Sequence, residues 1–241
     1  MTRVLYLDPF SGISGDMFLA AMVDAGVDVA VLRSGFAALG IEGLEVAAFR
    51  VCKSGIGATL VQVAAPDTAE ERHLSEIVSI IDGSGLPASV RKTARAVFRR
   101  LAAAESKVHC MPVEEVHFHE VGALDTIADV VGAAICLSEA GIVEVRSAAV
   151  NVGGGTVRTA HGLLPVPAPA TLELLKNVPI YSSGVQAELT TPTGAAILAE
   201  VCREFGPMPH MRVEATGYGA GSKELETPNV LRVAIGELLR K

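Results

Sequence analysis

Apolar positions in this chain fall alternately into short continuous runs and into 3.6-residue periods, which predicts strands interleaved with helices. Residues 4–7 form a short apolar strand, PFSGISGD a loop, and MFLAAMVDAG a helix ended by Gly26. A second helix is expected over 29–39, then extended segments near 44–51 and 59–65, where β-branched residues recur. Pro87 opens a longer helix to about Lys107. There Val90, Ala94, Val97, Phe98 and Leu101 share the inward face, and Arg91, Arg95, Arg99 and Arg100 face water. Those arginines read as a solvated face in preference to a phosphate clamp.

The second half is richer in Gly and Pro. The pattern predicts a helix through ALDTIADVVGAAICLSEAG, a strand over 143–152, a glycine-rich hairpin or loop at GGGTVRTAHG and a helix over 168–176. It continues with a short strand over 181–185 and a helix with Thr191 as N-cap and Pro192 at N1, running to about Phe205. Two closing strands follow near 211–216 and 229–237. GYGAGSKE, between those strands, reads as a flexible loop. The fold class expected is α/β or α+β, a layered mixed sheet with helices packed on it. PDTAEER interrupts the apolar pattern and marks a boundary near residues 68–72. It divides an N-terminal α/β subdomain (1–70) from a main α/β domain (71–241), unless the two form one continuous domain.

Composition narrows the partners. A formal net charge of −7, with no Lys/Arg cluster beyond Arg99-Arg100, argues against nucleic acid or an anionic membrane. Cys52, Cys110, Cys136 and Cys202 are far apart and lack a CxxC pair, so reduced thiols in a cytoplasmic protein are the expectation. MTRVLYLD places an Asp where a signal peptide needs an apolar core, and the uncharged run 159–172 is broken by Gly162, Pro165, Pro167 and Pro169. Neither export nor a membrane span is expected.

The densest chemistry lies in EEVHFHEVGALDTIAD. If residues 116–120 are extended, His117 and His119 project to one side, with Glu120 adjacent. Asp125 and Asp129 lie one turn apart on the following helix. Nitrogen and oxygen donors so arranged suit nickel, zinc, manganese or iron; the alternative is the polar face of a half-exposed strand with Asp125 holding a helix start.

Three other clusters stand out. In DPFSGISGD, Ser11, Gly12, Ser14, Gly15 and Asp16 lie between a strand and a helix, where free amides can meet an anion. The spacing matches neither a Walker motif nor a GxSxG elbow, so the serines read as helix caps and not as nucleophiles. Gly153, Gly154 and Gly155 form either a phosphate nest or a hairpin turn, and nearby His161 reads either as a surface residue or as a further donor for the site begun by His117 and His119. Thr190, Thr191, Thr193 and Gly194 stand at a predicted helix N-terminus, suited to a phosphate or carboxylate or explained by capping.

Taken in order, DPFSGISGDM, VHFHEVGALDTIADVVG, NVGGGTVRTAHGLLPVPAPAT, ELTTPTGAAIL and GYGAGSKE resemble the LarC family, nickel-insertion proteins of the lactate racemase cofactor pathway. The resemblance covers residues 4 to about 238. It implies a nickel-inserting cyclometallase, of lyase or chelatase type, acting on pyridinium-3,5-bisthiocarboxylic acid mononucleotide. The product would be the nickel-pincer nucleotide, with Ni²⁺ held by two sulfurs and a ring carbon. It also implies Mn²⁺ or Mg²⁺ with CTP in the full-length protein, and a C-terminal domain, or a separate C-terminal chain, as partner. A homo-oligomer is compatible with the apolar content.

On that basis His117, His119, Glu120 and His161 are the metal candidates, and Asp125 and Asp129 the candidates for taking up the ring proton. Ser11, Gly12, Ser14, Gly15, Asp16, Gly153, Gly154, Gly155, Thr191 and Thr193 are candidates for the substrate phosphate. The rival readings are a non-catalytic nickel-binding or scaffolding module and a metal-dependent hydrolase.

Overall fold

The computed structural model describes residues 2–65, 72–118 and 124–239. The elements run β1 (Arg3–Asp8), α1 (Gly15–Asp24), α2 (Val29–Ala38), β2 (Glu45–Lys53), β3 (Ile56–Ala64), β4 (Arg72–His73), α3 (Leu74–Gly83) and α4 (Ala88–His109). After a 3₁₀ turn (Val113–Glu115) come β5 (His117–Phe118), α5 (Leu124–Glu139), β6 (Glu144–Ser147), β7 (Val150–Asn151), β8 (Thr156–Thr159) and β9 (Gly162–Pro165). The chain ends with α6 (Pro169–Leu174), β10 (Ile180–Tyr181), α7 (Pro192–Val201), β11 (Cys202–Phe205), β12 (Met211–Ala220) and β13 (Val230–Leu238).

The apolar run Val4-Leu5-Tyr6-Leu7 is buried throughout, as a central strand requires. It pairs parallel with β6 and antiparallel with β13, inside a seven-stranded mixed sheet of order β11-β6-β1-β13-β12-β3-β2. The expected α/β class with helices on a mixed sheet is what is found. The boundary drawn near 68–72 falls largely on residues 66–71, outside the described residues. Strands from both sides of it lie in the one sheet.

α1 is buried from Met17 to Met22, and a helix apolar on every side must be enclosed. It packs on β12, β3 and β13. Two glycines of β12 permit the close approach: a Cβ on Gly217 would overlap the Ala21 carbonyl, and one on Gly219 the Met17 carbonyl. GYGAGSKE is therefore half strand, because Gly217–Ala220 completes β12. α5, also largely buried, packs against α1, α2, α4 and α7. α4 keeps the expected inward face, and its Phe98 meets Phe118 edge-on at 6.3 Å, a contact worth about 0.5–1.5 kcal/mol beyond simple burial.

Three other predicted elements change. The Thr191 helix stops at Val201, and residues 202–205 become an edge strand parallel to β6, since sheet pairing outweighs helix continuation. The strand expected over 143–152 is two short strands in different sheets. It breaks where the Ala148 N–H turns to donate to the Leu7 carbonyl at 2.9 Å. The strand expected over 181–185 is reduced to Ile180–Tyr181. Helix α3 has no counterpart in the pattern reading. Its signals were local: Ile77 and Ile81, fully buried at i, i+4, and Glu76, which accepts from the His73 N–H at 2.7 Å.

Candidate functional site

Three loops are clasped together backbone to backbone beside the helix starts. Gly12, at φ +81°, lets its loop turn and press on the Leu189 carbonyl; Gly153, also at φ +81°, presses on the Ala187 carbonyl, and Gly194 on that of Ile13. Ile13 bridges to Thr190, and the Thr191 N–H donates to the Ile13 carbonyl at 3.1 Å. Asn151 is the hub. Its Nδ2 donates to the Phe10 carbonyl (2.7 Å) and to Ser183 Oγ (2.9 Å), its Oδ1 accepts from the Gly153 N–H (3.2 Å), and its carbonyl accepts from Thr190 Oγ1 (2.9 Å).

This clasp brings the N-terminal turns of α1, α5 and α7 to one cavity of about 750 Å³. Ser14, Gly15 and Asp16 come from α1 and its cap, Asp125, Thr126 and Asp129 from α5, and Thr191, Pro192 and Thr193 from α7. β3 contributes 60–64, β8 contributes Val157, Arg158 and Thr159, and Ala168, Glu188 and Ser222 complete the wall. Three helix N-termini place partial positive charge where the aspartates sit.

Asp129 is the most perturbed of these groups. Burial, then the neighbouring charges of Asp16 and Asp125, push its carboxyl well above the usual carboxylate range, with the Asp16 backbone N–H pulling partly back. Gly15 makes that closeness possible, since any Cβ there would overlap the Asp129 carboxylate. Asp16 accepts from the Ser14 hydroxyl and from the Met17 N–H (2.9 Å); Asp125 accepts from the Thr126 N–H (2.6 Å). Ser14 thus caps α1 through Asp16, without a side-chain bond to the helix amides. Thr191 caps α7 directly, accepting from the Gly194 N–H at 3.2 Å, as expected.

The structure separates the phosphate candidates. Ser14, Gly15, Asp16, Thr191 and Thr193 line the cavity. Ser11 is buried and donates to the Pro228 carbonyl at 2.7 Å, while Gly12 and Gly153 serve the loop clasp. Gly154 and Gly155 lie against Gln186, outside the lining, so the GGG segment leads into the β8–β9 hairpin.

Of the metal candidates, His119 and Glu120 lie outside the described residues, and the His117 backbone pairs with His73 in the β4–β5 ribbon. His161 is exposed at the hairpin tip, its ring 4.7 Å from that of His109 at the end of α4. Among the described residues, no group of three or more His, Cys, Asp or Glu side chains could hold a metal ion. Two charged lining residues, Glu188 and Arg158, are not among the candidates the sequence offers. Glu188 opens ELTTPTGAAIL ahead of the threonines that carry its capping signal, and Arg158 stands between the glycines and His161 of NVGGGTVRTAHG.

The family model described as nickel insertion protein matches residues 5–240. A Desulfitobacterium hafniense (strain DSM 10664 / DCB-2) protein named pyridinium-3,5-bisthiocarboxylic acid mononucleotide nickel insertion protein is 52% identical over 236 residues, covering 98% of this chain and 59% of that protein. A Geobacillus kaustophilus protein of the same name is 46% identical over 249 residues, covering 99% of this chain and 61% of that protein. The chain thus spans about three-fifths of the length of these relatives. No solved structure matches it. With the match running almost end to end, and through every loop that builds the cavity, the chain belongs to the nickel insertion protein family.

Proposed function

We propose that this chain forms the substrate-holding part of a nickel-inserting cyclometallase, of lyase or chelatase type, acting on pyridinium-3,5-bisthiocarboxylic acid mononucleotide. The relatives' names supply the substrate. The observation that carries the chemistry is Asp129, a carboxylate made basic by burial and by Asp16 and Asp125, at the wall of a cavity large enough for a mononucleotide. Metallation breaks a ring C–H bond and forms a C–Ni bond, so a proton must leave the ring carbon. Asp129 takes it up. A carboxylate with a raised pKa is the better acceptor near neutral pH. Asp125, exposed one turn earlier, passes it to solvent.

Nickel is cargo in this reaction. His117, His119, Glu120 and His161 deliver it, their imidazole and carboxylate donors suiting Ni²⁺ until the sulfurs of the substrate take it over. Thr191 and Thr193 at the start of α7, with Ser14 and Gly15, face the polar parts of the nucleotide. The described lining opposes Asp16, Asp125, Asp129 and Glu188 to one cation, Arg158, a poor cradle for a triphosphate. CTP with Mn²⁺ or Mg²⁺ is therefore assigned to the part of the relatives beyond the match, supplied in the same or a separate chain. The setting is the cytoplasm, in keeping with four free cysteines and with the lack, among the described residues, of a helix long and apolar enough to cross a membrane.

The test is a nickel-insertion assay on the chain supplemented with the remaining part of a relative, Mn²⁺ and CTP, comparing native protein with Asp129→Asn. Formation of the C–Ni product by the native chain and its loss in the variant support the reading. Insertion at the native rate by Asp129→Asn removes the proton acceptor. Nickel bound without product would favour the scaffolding alternative.

A further inference from the structure

We propose that Arg158 seats the phosphate of a pyridinium mononucleotide, and that the cavity orients this substrate by charge, anionic tail to Arg158 and cationic ring to Asp16 and Asp129. The inference rests on the function proposed above and names the residue that would set substrate orientation.

The cavity is electrostatically lopsided. Its described lining carries Asp16, Asp125, Asp129 and Glu188 against Arg158. A dianionic phosphate entering there is repelled over most of the wall. Arg158 lies on β8, opposite Leu163 in β9, on a hairpin whose base is tied by the Val166 N–H donating to the Gly155 carbonyl at 3.0 Å. The other arginines and lysines beside carboxylates are already engaged: Arg146 with Glu144 and Glu204, Arg212 with Glu214 and Glu237, Arg232 with Asp8, Lys107 with Glu173. Among the described residues, Arg158 has neither an ion pair nor a side-chain hydrogen bond. Its guanidinium remains available for the paired N–H donors that a phosphate accepts.

The opposite wall completes the match. Asp129 and Asp16 offer negative charge in a half-buried position, where a permanently cationic pyridinium compensates them without bringing a proton of its own. The ring carbon that must lose its proton is then on the Asp129 side, and the phosphate is held at a distance from it. A uniformly anionic ligand would satisfy one end and be repelled by the other. A ligand bearing both charges fits both.

The experiment uses nicotinamide mononucleotide, a pyridinium mononucleotide, and nicotinamide riboside, which has the same ring and sugar without the phosphate. Both are titrated calorimetrically into the native chain, Arg158→Gln and Arg158→Lys, at low and at physiological salt. A charge-assisted hydrogen-bonded contact of about 1.5–3 kcal/mol corresponds to roughly 10- to 100-fold preference for the mononucleotide in the native chain. Arg158→Gln should abolish that preference by weakening mononucleotide alone, riboside binding being unchanged, and Arg158→Lys should keep part of it. A preference that survives in Arg158→Gln overturns the assignment of Arg158 and leaves the substrate reading standing. A native chain that binds the two probes equally overturns phosphate recognition by Arg158, and one that binds neither overturns both this inference and the substrate reading. Arg158 is exposed, so unchanged melting of the variants checks that any effect is one of binding.

Discussion

Helix α1 carries an aspartate near each end, and the two have opposite surroundings. Asp24, in its last turn, sits where the helix dipole disfavours negative charge, yet it is fully served: it accepts from Thr59 Oγ1 at 2.8 Å and from the Tyr218 N–H at 2.9 Å, and pairs with Arg50. Asp16, in the first turn, enjoys the favourable end of the dipole but shares its space with Asp129 and Asp125 and, among the described residues, has no ion pair. The first arrangement ties α1 to β3 and β12. The second concentrates negative charge against a cavity. A fold optimised for stability alone would not place carboxylates together when it can neutralise one so completely two turns away. The crowding at the cavity end is what the proposed role of Asp129 requires.

That contrast is broken most severely at Asp129. Asp129→Asn retains the shape of the side chain and removes the base, so nickel insertion should fall by about 10²- to 10⁴-fold with the fold intact by circular dichroism. Asp16→Asn acts on the same carboxylate from outside. Because the Asp16 charge helps to raise the Asp129 pKa, its removal should move the acid limb of the pH–rate profile to lower pH. A profile that stays in place would show that Asp16 has no part in tuning the base.

At the other end of the helix the effect should be on stability alone. Asp24→Ala leaves the Tyr218 N–H and the Thr59 hydroxyl without their acceptor, at a cost of about 2 kcal/mol, read as a lower urea midpoint with an unchanged slope. Arg50 is 70% exposed, so its ion pair adds little to that figure. Nicotinamide mononucleotide binding should be unaffected. A loss of binding equal to that of a cavity variant would erase the distinction between the two ends.

The sequence revealed the two ends unequally, for a physical reason. Strand β1, the helix start at Thr191 and the inward face of α4 follow from periodicity and capping, which are local properties, whereas α1 begins at Gly15, two residues inside the expected loop. Asp125 and Asp129 were visible from their i, i+4 spacing. That Asp129 meets Asp16 depends on Gly15 and on the packing of α1 against α5, which no local pattern carries. Likewise Gly12 and Gly153 looked like anion-binding glycines because a clasp between backbones and a phosphate nest make the same demand, a residue without Cβ at positive φ. Arg158 and Glu188 were passed over because their relevance lies wholly in what the fold places beside them.

The last effect is the most specific to the crowded carboxylates. The Asp129 pKa is raised in the folded protein above its usual value of 3.8, so the folded chain holds that proton over a pH range in which the unfolded chain has released it. The stabilisation from that retained proton is fully present below about pH 3.8 and is lost as pH rises through the folded pKa. Asp129→Asn is neutral at every pH and escapes the loss. The variant should therefore match the native chain near pH 4 and become progressively more stable than it towards pH 8, by about 1.4 kcal/mol for each unit of pKa displacement. Urea titrations of both proteins across this range decide the matter: a gap that widens with pH confirms that the native chain keeps a destabilising carboxylate at its cavity, whereas parallel curves would mean that Asp129 is as well compensated as Asp24.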